Sequence, residues 1–403
     1  MTDAYINGIG TAVPRHDVHD TFIAFVDQRL PDRRSQILFR RMVQRAGIDH
    51  RYSTLEPGPS PDESVDREGL YRSGRFAGTA ARMARFETHA VELALEAVEA
   101  LALGDRKDAI THVVVASCTG FMAPGLDQQL IDRLGLNPSV ERTAIGFMGC
   151  AAAVNALRIA RHIVRSDASA KVLMVNLELC TLHLQDSSDM EVLLSALLFG
   201  DGCAASLVSA TPEGIELKDF RSVTIPDSQD LITWRIGDTG FEMALSGEVP
   251  VRIARALRQE ALRNDHDGIL RGQSKDDFDL WAVHAGGRTI LDAVEQGLSL
   301  GPDALRWSRD VLRDFGNMSS ATLMFVLQRM MQSRVSNALG LGMAFGPGLV
   351  AETFRFSLLG QRPVGPGLSR RSEAAEIMDG RDVPFEEYRA YLADLARVNT
   401  ATL

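Results

Sequence analysis

Buried strands and amphipathic helices alternate along the chain. Two near-continuous apolar runs, residues 111–118 and 171–180, are typical of strands covered on both faces of a sheet. Further strands are predicted over residues 5–9, 202–210, 278–284 and 340–348, and helices over residues 76–103, 150–166, 249–264, 287–298 and 317–331. Such alternation predicts a layered α/β fold.

A weak internal repeat relates the two halves of the chain. Each half has a long helix, a buried strand and later a helix opened by a Gly-X pair, which is Gly149-Cys150 in one half and Gly316-Asn317 in the other. Small residues follow each pair, so the two helix starts can approach each other closely. Pseudo-symmetric halves would place Cys150 and Asn317 around one shared centre.

Composition and charge narrow the class of protein. The chain has 403 residues and a net charge of −10, which argues against general nucleic-acid binding, although a local basic patch could hold an anionic small molecule. No secretory signal is visible at the N-terminus, and the apolar runs are too short to span a bilayer. The four cysteines form no C-x-x-C motif, so we expect reduced thiols in a cytoplasmic protein.

Three residues at strand and helix ends could carry chemistry together. Cys150 opens a helix, whose free N–H groups favour a thiolate, although an isolated cysteine is more often a buried hydrophobe. Alone, His284 would be a core histidine at a strand end, and Asn317 a helix N-cap. As a set they suit acyl transfer, in which the thiolate attacks a carbonyl and the imidazole and carboxamide stabilise its oxygen.

These motifs resemble those of the type III polyketide synthases, the chalcone and stilbene synthases and their bacterial relatives in the thiolase superfamily. The matching stretches are Gly149-Cys150, "WAVHAGG" at 281–287, "GNMSSA" at 316–321, "LFGDG" at 198–202 and "FGPG" at 345–348. The resemblance covers roughly residues 5–355. It implies a duplicated, five-layered αβαβα thiolase fold with an N-terminal half over residues 1–225 and a C-terminal half over residues 226–365. The resemblance does not cover the tail over residues 366–403, in which apolar spacing predicts a helix.

The resemblance also implies roles for individual residues. Cys150 would carry the acyl group and form an ion pair with His284, while His284 and Asn317 would promote decarboxylation of malonyl-CoA. Phe199 would be the gatekeeper between the CoA tunnel and the cavity. Arg41 and Arg45 would contact CoA phosphates, unless they belong to a solvated helix face. The other substrate-binding residues expected from the resemblance are Cys118, Thr119, Ala123, Cys180, His183, Ser195, Met243, Ser319, Gly346 and Pro347.

Several of these positions depart from the plant pattern. Cys118, Cys180 and His183 stand where Thr or Ser is usual, and Ser195 stands where Gly is usual. Ala123 replaces a Met that normally reaches in from the neighbouring subunit, and Ala151 replaces the Phe after the nucleophile. The two alanines indicate room for a different starter. At position 118, the cysteine makes the chain similar to bacterial members that make pyrones, resorcinols or related phenolics.

The resemblance implies a homodimer that condenses malonyl-CoA onto an acyl-CoA starter, with CoA thioesters as substrates and no metal, flavin or nicotinamide. The alternatives are a ketoacyl-synthase-III-like condensing enzyme and a non-catalytic scaffold subunit, although a scaffold would lose the nucleophile. A papain-like hydrolase lacks support because its cysteine motif is missing. Cys180 and His183 form a lone C-x-x-H pair, which is poor support for a zinc site. A helix near residues 383–398 would pack on the body or across a dimer, or else dock a partner.

Overall fold

The computed structural model describes residues 2–60, 64–72, 74–263 and 265–360. The strands within this part of the chain are β1 (Ala4–Ala12), β2 (His16–Asp17), β3 (Tyr52–Ser53), β4 (Tyr71–Arg72), β5 (Arg75–Phe76), β6 (His112–Ser117), β7 (Glu141–Gly146), β8 (Lys171–Leu179), β9 (Asp201–Ser209), β10 (Ile215–Thr224), β11 (Ile232–Gly237), β12 (Gly240–Leu245), β13 (Leu280–Val283), β14 (Ala338–Gly346) and β15 (Val350–Leu358). The α-helices are α1 (His19–Arg29), α2 (Arg33–Ala46), α3 (Thr79–Ala100), α4 (Leu126–Leu134), α5 (Ala152–Ser166), α6 (Met190–Leu198), α7 (Val249–Glu260), α8 (Arg288–Leu298), α9 (Arg306–Phe315) and α10 (Ser320–Gln332). Short 3₁₀ helices span Gly104–Ala109, Gly149–Ala151, Cys180–His183 and Lys275–Asp277.

The main sheet has nine strands in the order β13-β14-β15-β10-β1-β9-β8-β6-β7. The sheet has two parts, one formed by β7, β6, β8, β9 and β1 and the other by β13, β14, β15 and β10. Strand directions follow the same pattern in both parts. In the first part β6 and β8 are parallel, whereas β8–β9 and β9–β1 are antiparallel. In the second part β13 and β14 are parallel, whereas β14–β15 and β15–β10 are antiparallel. A short antiparallel pairing of β1 with β10 joins the parts, so the strand order repeats between the halves as the sequence repeat predicts.

Helices cover both parts of the sheet and also lie between them. Helices α5 and α10 contact each other and strands from both parts, and they form a buried middle layer rich in alanine. Helices α3 and α4 pack against the outer face of the first part, and α7 and α8 belong to the core that covers the second part. These five layers confirm the predicted αβαβα thiolase architecture.

Several element boundaries differ from the predictions. The helix predicted from residue 76 begins at Thr79, because Arg75–Phe76 pairs with Tyr71–Arg72 instead. The helix predicted from residue 317 begins at Ser320, because the backbone of Asn317 pairs with the segment around Phe199. Strand β15 and the β11–β12 hairpin were not predicted.

The predicted boundary between the two halves, which falls between residues 225 and 226, stays a prediction. The helix predicted near residues 383–398 falls in the tail and lies outside the described residues.

Candidate active site

One large cavity opens where parallel strands of both sheet parts end. The empty space in and around it is about 1480 Å³, which includes open solvent at its mouth. Cys118 and Thr119 follow β6, Cys180 follows β8, His284 follows β13 and Pro347 follows β14. Carboxyl ends of parallel strands are the usual place for a ligand site in an α/β fold.

Cys150 lies in the cavity wall within the 3₁₀ helix that leads into α5. The preceding Gly149 has a φ of +59°, and a Cβ at that position would lie 2.5 Å from Cδ of Pro347, so only glycine fits there. Burial raises the pKa of the Cys150 thiol to about 11, against opposing hydrogen bonds from Ser319 and Asn317.

His284 lies in the wall with both ring nitrogens free of hydrogen-bond partners among the described residues. The residue is 2% exposed, and burial lowers its pKa to about 3. Its backbone is held by β14, because the His284 N–H donates to the Met343 carbonyl at 2.8 Å. A buried polar ring without partners beside a cavity is suited to binding a polar ligand atom.

Asn317 is fixed at both ends of its carboxamide. Its Nδ2 donates to the Gly286 carbonyl at 3.2 Å, and its Oδ1 accepts from the Ser319 N–H at 2.8 Å. Gly286 follows His284 by two residues, so the carboxamide is tied to the loop that carries the imidazole. Ser319 has a φ of +45°, a left-handed conformation that is costly for serine.

A buried carboxylate lies next to the wall residues Cys118 and Thr119. Glu178, on β8, accepts hydrogen bonds from Cys118 N at 2.9 Å, Thr119 Oγ1 at 3.0 Å and Ser320 Oγ at 2.6 Å. It therefore joins β6, β8 and α10. Burial raises its pKa to about 7, although these hydrogen bonds favour the charged form.

His183 has a structural network of its own in the wall. It is hydrogen-bonded through Nε2 to the Thr119 carbonyl at 2.7 Å, and its Nδ1 accepts from the Phe241 N–H at 3.0 Å. The ring stacks on Phe241 with centroids 4.2 Å apart, and burial lowers its pKa to about 3. These contacts fix a neutral imidazole that connects the end of β6 to the β11–β12 hairpin.

The structure brings most predicted site residues into this one wall. The predicted residues that line it are Cys118, Thr119, Cys150, Cys180, His183, Ser195, Phe199, Met243, His284, Asn317, Ser319 and Pro347. That these residues contact substrate stays a prediction.

The other predicted site residues lie outside the wall. Ala123 is exposed, and Gly346 is buried against Ala151, which itself packs in the middle-layer core. Arg41 and Arg45 lie on the exposed side of α2. That Ala123 and Ala151 leave room for a different starter stays a prediction.

A second group of wall residues was not predicted from the sequence. They lie at the start of α1, between α2 and α3, between the Cys180–His183 3₁₀ helix and α6, within α6, and on the β11–β12 hairpin. In that order they include Val18, Phe22, Arg51, Leu55, Val65, Tyr71, Leu184, Val192, Ile232, Trp234, Phe241 and Leu245. The hairpin had a usable signal, because apolar residues alternate on both sides of the Asp-Thr-Gly turn at residues 238–240.

Neither a metal centre nor a membrane-spanning helix is found within the described residues. No group of three or more His, Cys, Asp or Glu side chains in that part of the chain could hold a metal ion. None of its helices is long and apolar enough to cross a membrane.

Comparison with known proteins decides the family. Residues 2–212 match the N-terminal domain of chalcone and stilbene synthases, and residues 216–359 match their C-terminal domain. The chain belongs to the chalcone and stilbene synthase family. It is a type III polyketide synthase, a condensing enzyme that transfers acyl groups.

Individual relatives agree with this family. The chain is 33% identical over 376 residues to the alpha-pyrone synthesis polyketide synthase-like Pks18 of Mycobacterium tuberculosis, which covers 89% of this chain and 92% of the relative. It is 35% identical over 334 residues to bisdemethoxycurcumin synthase of Oryza sativa subsp. japonica, covering 78% and 81% of the two chains. Among solved structures, PKS-I of the brown alga Ectocarpus siliculosus has a TM-score of 0.76 at 28% identity, covering 89% and 99% of the two chains.

Proposed function

We propose that this type III polyketide synthase loads an acyl group from a CoA thioester onto Cys150 and extends it with malonyl-CoA. One observation carries the proposal: Cys150, His284 and Asn317 come from three separate elements and line the same cavity. A thiol beside two groups that can donate hydrogen bonds to a carbonyl oxygen is the arrangement that acyl transfer needs.

In the loading step the Cys150 sulfur attacks the carbonyl carbon of the starter thioester. His284 and Asn317 donate hydrogen bonds to the carbonyl oxygen as it becomes negative. The bond to the CoA sulfur then breaks, and the CoA thiol leaves with the proton that Cys150 gave up. The unpartnered ring nitrogens of His284 support this role, because substrate would supply their missing partner.

In the extension step malonyl-CoA occupies the same site. Loss of CO₂ leaves an enolate whose oxygen is held by His284 and Asn317. Its carbon attacks the acyl thioester on Cys150, a new carbon–carbon bond forms, and the Cys150 sulfur is released for the next round. Phe199, whose backbone bridges to Asn317, would gate the passage of CoA thioesters, and Arg41 and Arg45 would bind CoA phosphates.

We further propose an aliphatic starter and a pyrone product. The wall residues contributed by α1 and the segment after α2 are mostly aliphatic or aromatic, and Phe22, Leu55 and Leu184 belong to one hydrophobic cluster. An acyl chain would be stabilised there by burial of its methylene groups. The name of Pks18, an alpha-pyrone synthesis enzyme, supports the same ring type.

The proposed enzyme is a cytoplasmic homodimer that uses CoA thioesters as substrates without a further cofactor. The exposed edge strand β7 and the exposed Phe121 and Met148 beside it support the dimer. The four cysteines are all free thiols, which fits a reducing compartment.

The decisive experiment is incubation of the purified enzyme with malonyl-CoA and a panel of acyl-CoA starters of increasing chain length. Product masses would give the starter, the number of extensions and the ring type. We expect pyrones, which form when an enol oxygen of the extended chain attacks the thioester carbonyl and displaces the thiol. They should form fastest from medium or long aliphatic starters. Absence of any condensed product from the whole panel would contradict the proposed function.

The nucleophile can be tested separately. Cys150→Ala should carry no acyl group after incubation with acyl-CoA, because the attacking sulfur is gone, and intact-protein mass would show this. The matched control is Cys180→Ala, which removes another thiol from the same wall and should still gain the acyl mass. An acylated Cys150→Ala protein would show that the nucleophile is assigned wrongly.

A further inference from the structure

A buried arginine holds two of the segments that surround the site. Arg51, immediately before β3, is 2% exposed and lines the cavity. Its side chain donates from Nε to His19 Nδ1 at 2.9 Å, and from Nη1 to the carbonyls of Ala196 at 2.9 Å and Phe199 at 2.8 Å. Burial lowers the pKa of this guanidinium to about 10, so it stays charged near neutral pH. A buried cation whose three hydrogen bonds all go to uncharged acceptors costs free energy, and neither loading nor extension as proposed above uses it.

The two carbonyls that Arg51 binds lie at the end of α6. Ala196 is in the last turn of this helix, and Phe199 is its C-cap. The last carbonyls of a helix have no partners within the helix, and they carry the partial negative charge of its C-terminus. A guanidinium holds its N–H groups in one rigid plane, so Arg51 binds both carbonyls in a defined geometry. Arg51 thereby fixes the direction in which the chain leaves α6.

The segment that leaves α6 pairs directly with Asn317. The Asn317 N–H donates to the Leu198 carbonyl at 2.8 Å, and the Gly200 N–H donates to the Asn317 carbonyl at 3.0 Å. These two bonds form the short parallel bridge between Phe199 and Asn317. Arg51 binds the carbonyl of the residue between the two bonded positions. The place of the Asn317 backbone therefore depends on Arg51.

Arg51 also packs against the other strand of this bridge. A Cβ on Gly316 would lie 2.8 Å from Cγ of Arg51, and Gly316 has a φ of +68°, so a glycine is needed for this close approach. Arg51 thus holds the bridge from both strands. It bonds to Phe199 on one strand and packs under the residue before Asn317 on the other.

The N-terminal helix α1 holds Arg51 in turn. His19 is 4% exposed, and burial and the charge of Arg51 lower its pKa to about 4, so the ring is neutral near pH 7 and its Nδ1 can accept the hydrogen bond. The guanidinium lies over the Phe22 ring, 4.7 Å from its centroid. The backbone is fixed as well, because the Arg51 carbonyl accepts from the Val18 N–H at 2.8 Å. These contacts set the orientation in which Arg51 reaches α6.

We propose that Arg51 is a positioning residue for Asn317. By fixing residues 198–200, it sets the place from which the Asn317 carboxamide reaches the enolate oxygen that forms when malonyl-CoA loses CO₂. The inference rests on the proposed function, because it adds a residue that acts through Asn317. A displacement of about 1 Å is enough to cost a positioned donor much of its effect on the transition state, so a loosened bridge slows decarboxylation without weakening the binding of malonyl-CoA.

The first test is Arg51→Lys, which keeps the positive charge and loses the planar fork. With malonyl-CoA alone, kcat for CO₂ release should fall at least about tenfold, while KM stays within about twofold of the wild type. Arg82→Lys is the matched control, because Arg82 is 0% exposed and donates to the Leu182 and Leu184 carbonyls at 3.0 and 2.7 Å, which belong to a different segment. It should keep kcat within about twofold. Urea denaturation of both variants separates loss of stability from loss of rate.

A double variant distinguishes positioning from a general structural role. Asn317→Ala should itself release CO₂ slowly. Adding Arg51→Lys should then lower kcat by less than about twofold further, because the group that Arg51 positions is gone. Losses that multiply in the double variant would overturn the positioning role, and so would a wild-type kcat in Arg51→Lys.

His19 provides an independent check that leaves Arg51 in place, and it decides the question if Arg51→Lys does not fold. His19→Leu removes the acceptor and should lower kcat as Arg51→Lys does, whereas His19→Asn keeps an acceptor near the position of Nδ1 and should restore most of the rate. Equal rates in the two His19 variants would overturn the positioning role. A wild type that releases no CO₂, or unchanged CO₂ release in Asn317→Ala, would instead refute the proposed function, and the inference would fall with it.

Discussion

Burial works against both ends of the proposed ion pair between Cys150 and His284. It raises the pKa of the thiol to about 11 and lowers that of the imidazole to about 3, so each group alone is neutral near pH 7. Attraction between a thiolate and an imidazolium in the same cavity acts in the opposite direction. We therefore expect the reactive form of Cys150 to depend on His284.

Removing the imidazole should expose this dependence. In His284→Ala we expect the pKa of Cys150 to rise above its wild-type value, because burial is no longer opposed by a positive charge. The rate of alkylation by iodoacetamide, measured from pH 5 to pH 10, reports the thiolate fraction and should shift to higher pH. His284→Gln keeps a hydrogen-bond donor without the charge and should show the same shift. Alkylation profiles that superimpose on the wild type would refute the ion pair.

Glu178 is a second buried group whose charge state matters. Its pKa is raised by burial from an ordinary value of 4.5 to about 7, so the folded protein favours the neutral acid. A carboxyl group with a raised pKa in the folded state loses stability as pH rises from its unfolded pKa to its folded one. The stability cost should therefore develop between about pH 4.5 and pH 7 and be complete above that range.

Glu178→Gln should remove this pH dependence, since an amide of the same shape cannot ionise. Urea denaturation from pH 5 to pH 8.5 would give the free energy of unfolding of both proteins. We expect the wild type to lose a few kcal/mol relative to the variant across this range, because one pKa unit corresponds to about 1.4 kcal/mol. Asp201, whose pKa burial raises to about 6, is present in both proteins and cancels in the comparison. Parallel curves would show that Glu178 does not titrate in this range.

At the scale of elements, the β11–β12 hairpin closes one side of the cavity. Trp234 on β11 donates from Nε1 to the Cys118 carbonyl at 2.8 Å, and its ring meets His183 edge-on with centroids 5.5 Å apart. The hairpin is thus attached to the end of β6, where Cys118 lies beside Gly149. Among the described residues β11 and β12 form a separate two-stranded sheet. Backbone hydrogen bonds also attach the hairpin, from the Gly348 N–H to the Ile232 carbonyl at 3.0 Å and from the Thr79 N–H to the Asp238 carbonyl at 2.8 Å.

Trp234→Phe should loosen this attachment. The Cys118 carbonyl would lose its donor, at a cost of about 1–3 kcal/mol for a buried unsatisfied group. The urea midpoint of unfolding would measure this loss of stability. Trp307→Phe is the control, because Trp307 is a partly buried tryptophan on α9, and it should lower the midpoint less. We also expect a wider spread of product lengths, since the hairpin lines the cavity. Equal midpoint shifts in the two variants would contradict this role.

The same elements show what sequence alone could predict. The apolar runs of β6 and β8 were recognisable because both faces are buried. Strand β15 was missed because Glu352 and Thr353 interrupt its apolar pattern, although both are buried and Glu352 pairs with Arg158 from α5. The hairpin was missed although apolar residues alternate along both of its strands, so its signal was present in the sequence.

For the site, chemistry indicated Cys150, His284 and Asn317, because each residue type has a recognised role at a strand or helix end. Glu178 gave no such signal. It stands within an apolar strand, and its partners Cys118 and Ser320 are 60 and 142 residues away along the chain. Only the folded layers bring these residues together, so a single sequence could not reveal the carboxylate behind the cavity.

At the scale of the whole molecule, the free end of the sheet adjoins the active site. Strand β7 is the last strand of the main sheet, and four of its six residues are exposed. Phe121 packs over Gly146 at the end of β7, stacks on Phe147 with centroids 5.3 Å apart, and remains 49% exposed. An unpaired strand edge beside exposed aromatic surface favours pairing with a second copy of the chain.

Charges placed on this edge should separate the proposed dimer. Phe121→Asp/Ala144→Asp puts a carboxylate on the aromatic patch and another on β7, and a twofold axis would bring each close to its equivalent in the second copy. We expect the wild type to sediment as a dimer and the variant as a monomer. Leu262→Asp, a charge added at a residue that is 84% exposed elsewhere, should remain dimeric.

Because β7 leads through Phe147 into the loop that carries Cys150, we also expect the monomer to load acyl groups more slowly than the dimer. A wild type that sediments as a monomer at micromolar concentration would rule out the dimer, and a monomeric variant with full loading activity would show that the edge and the site are independent.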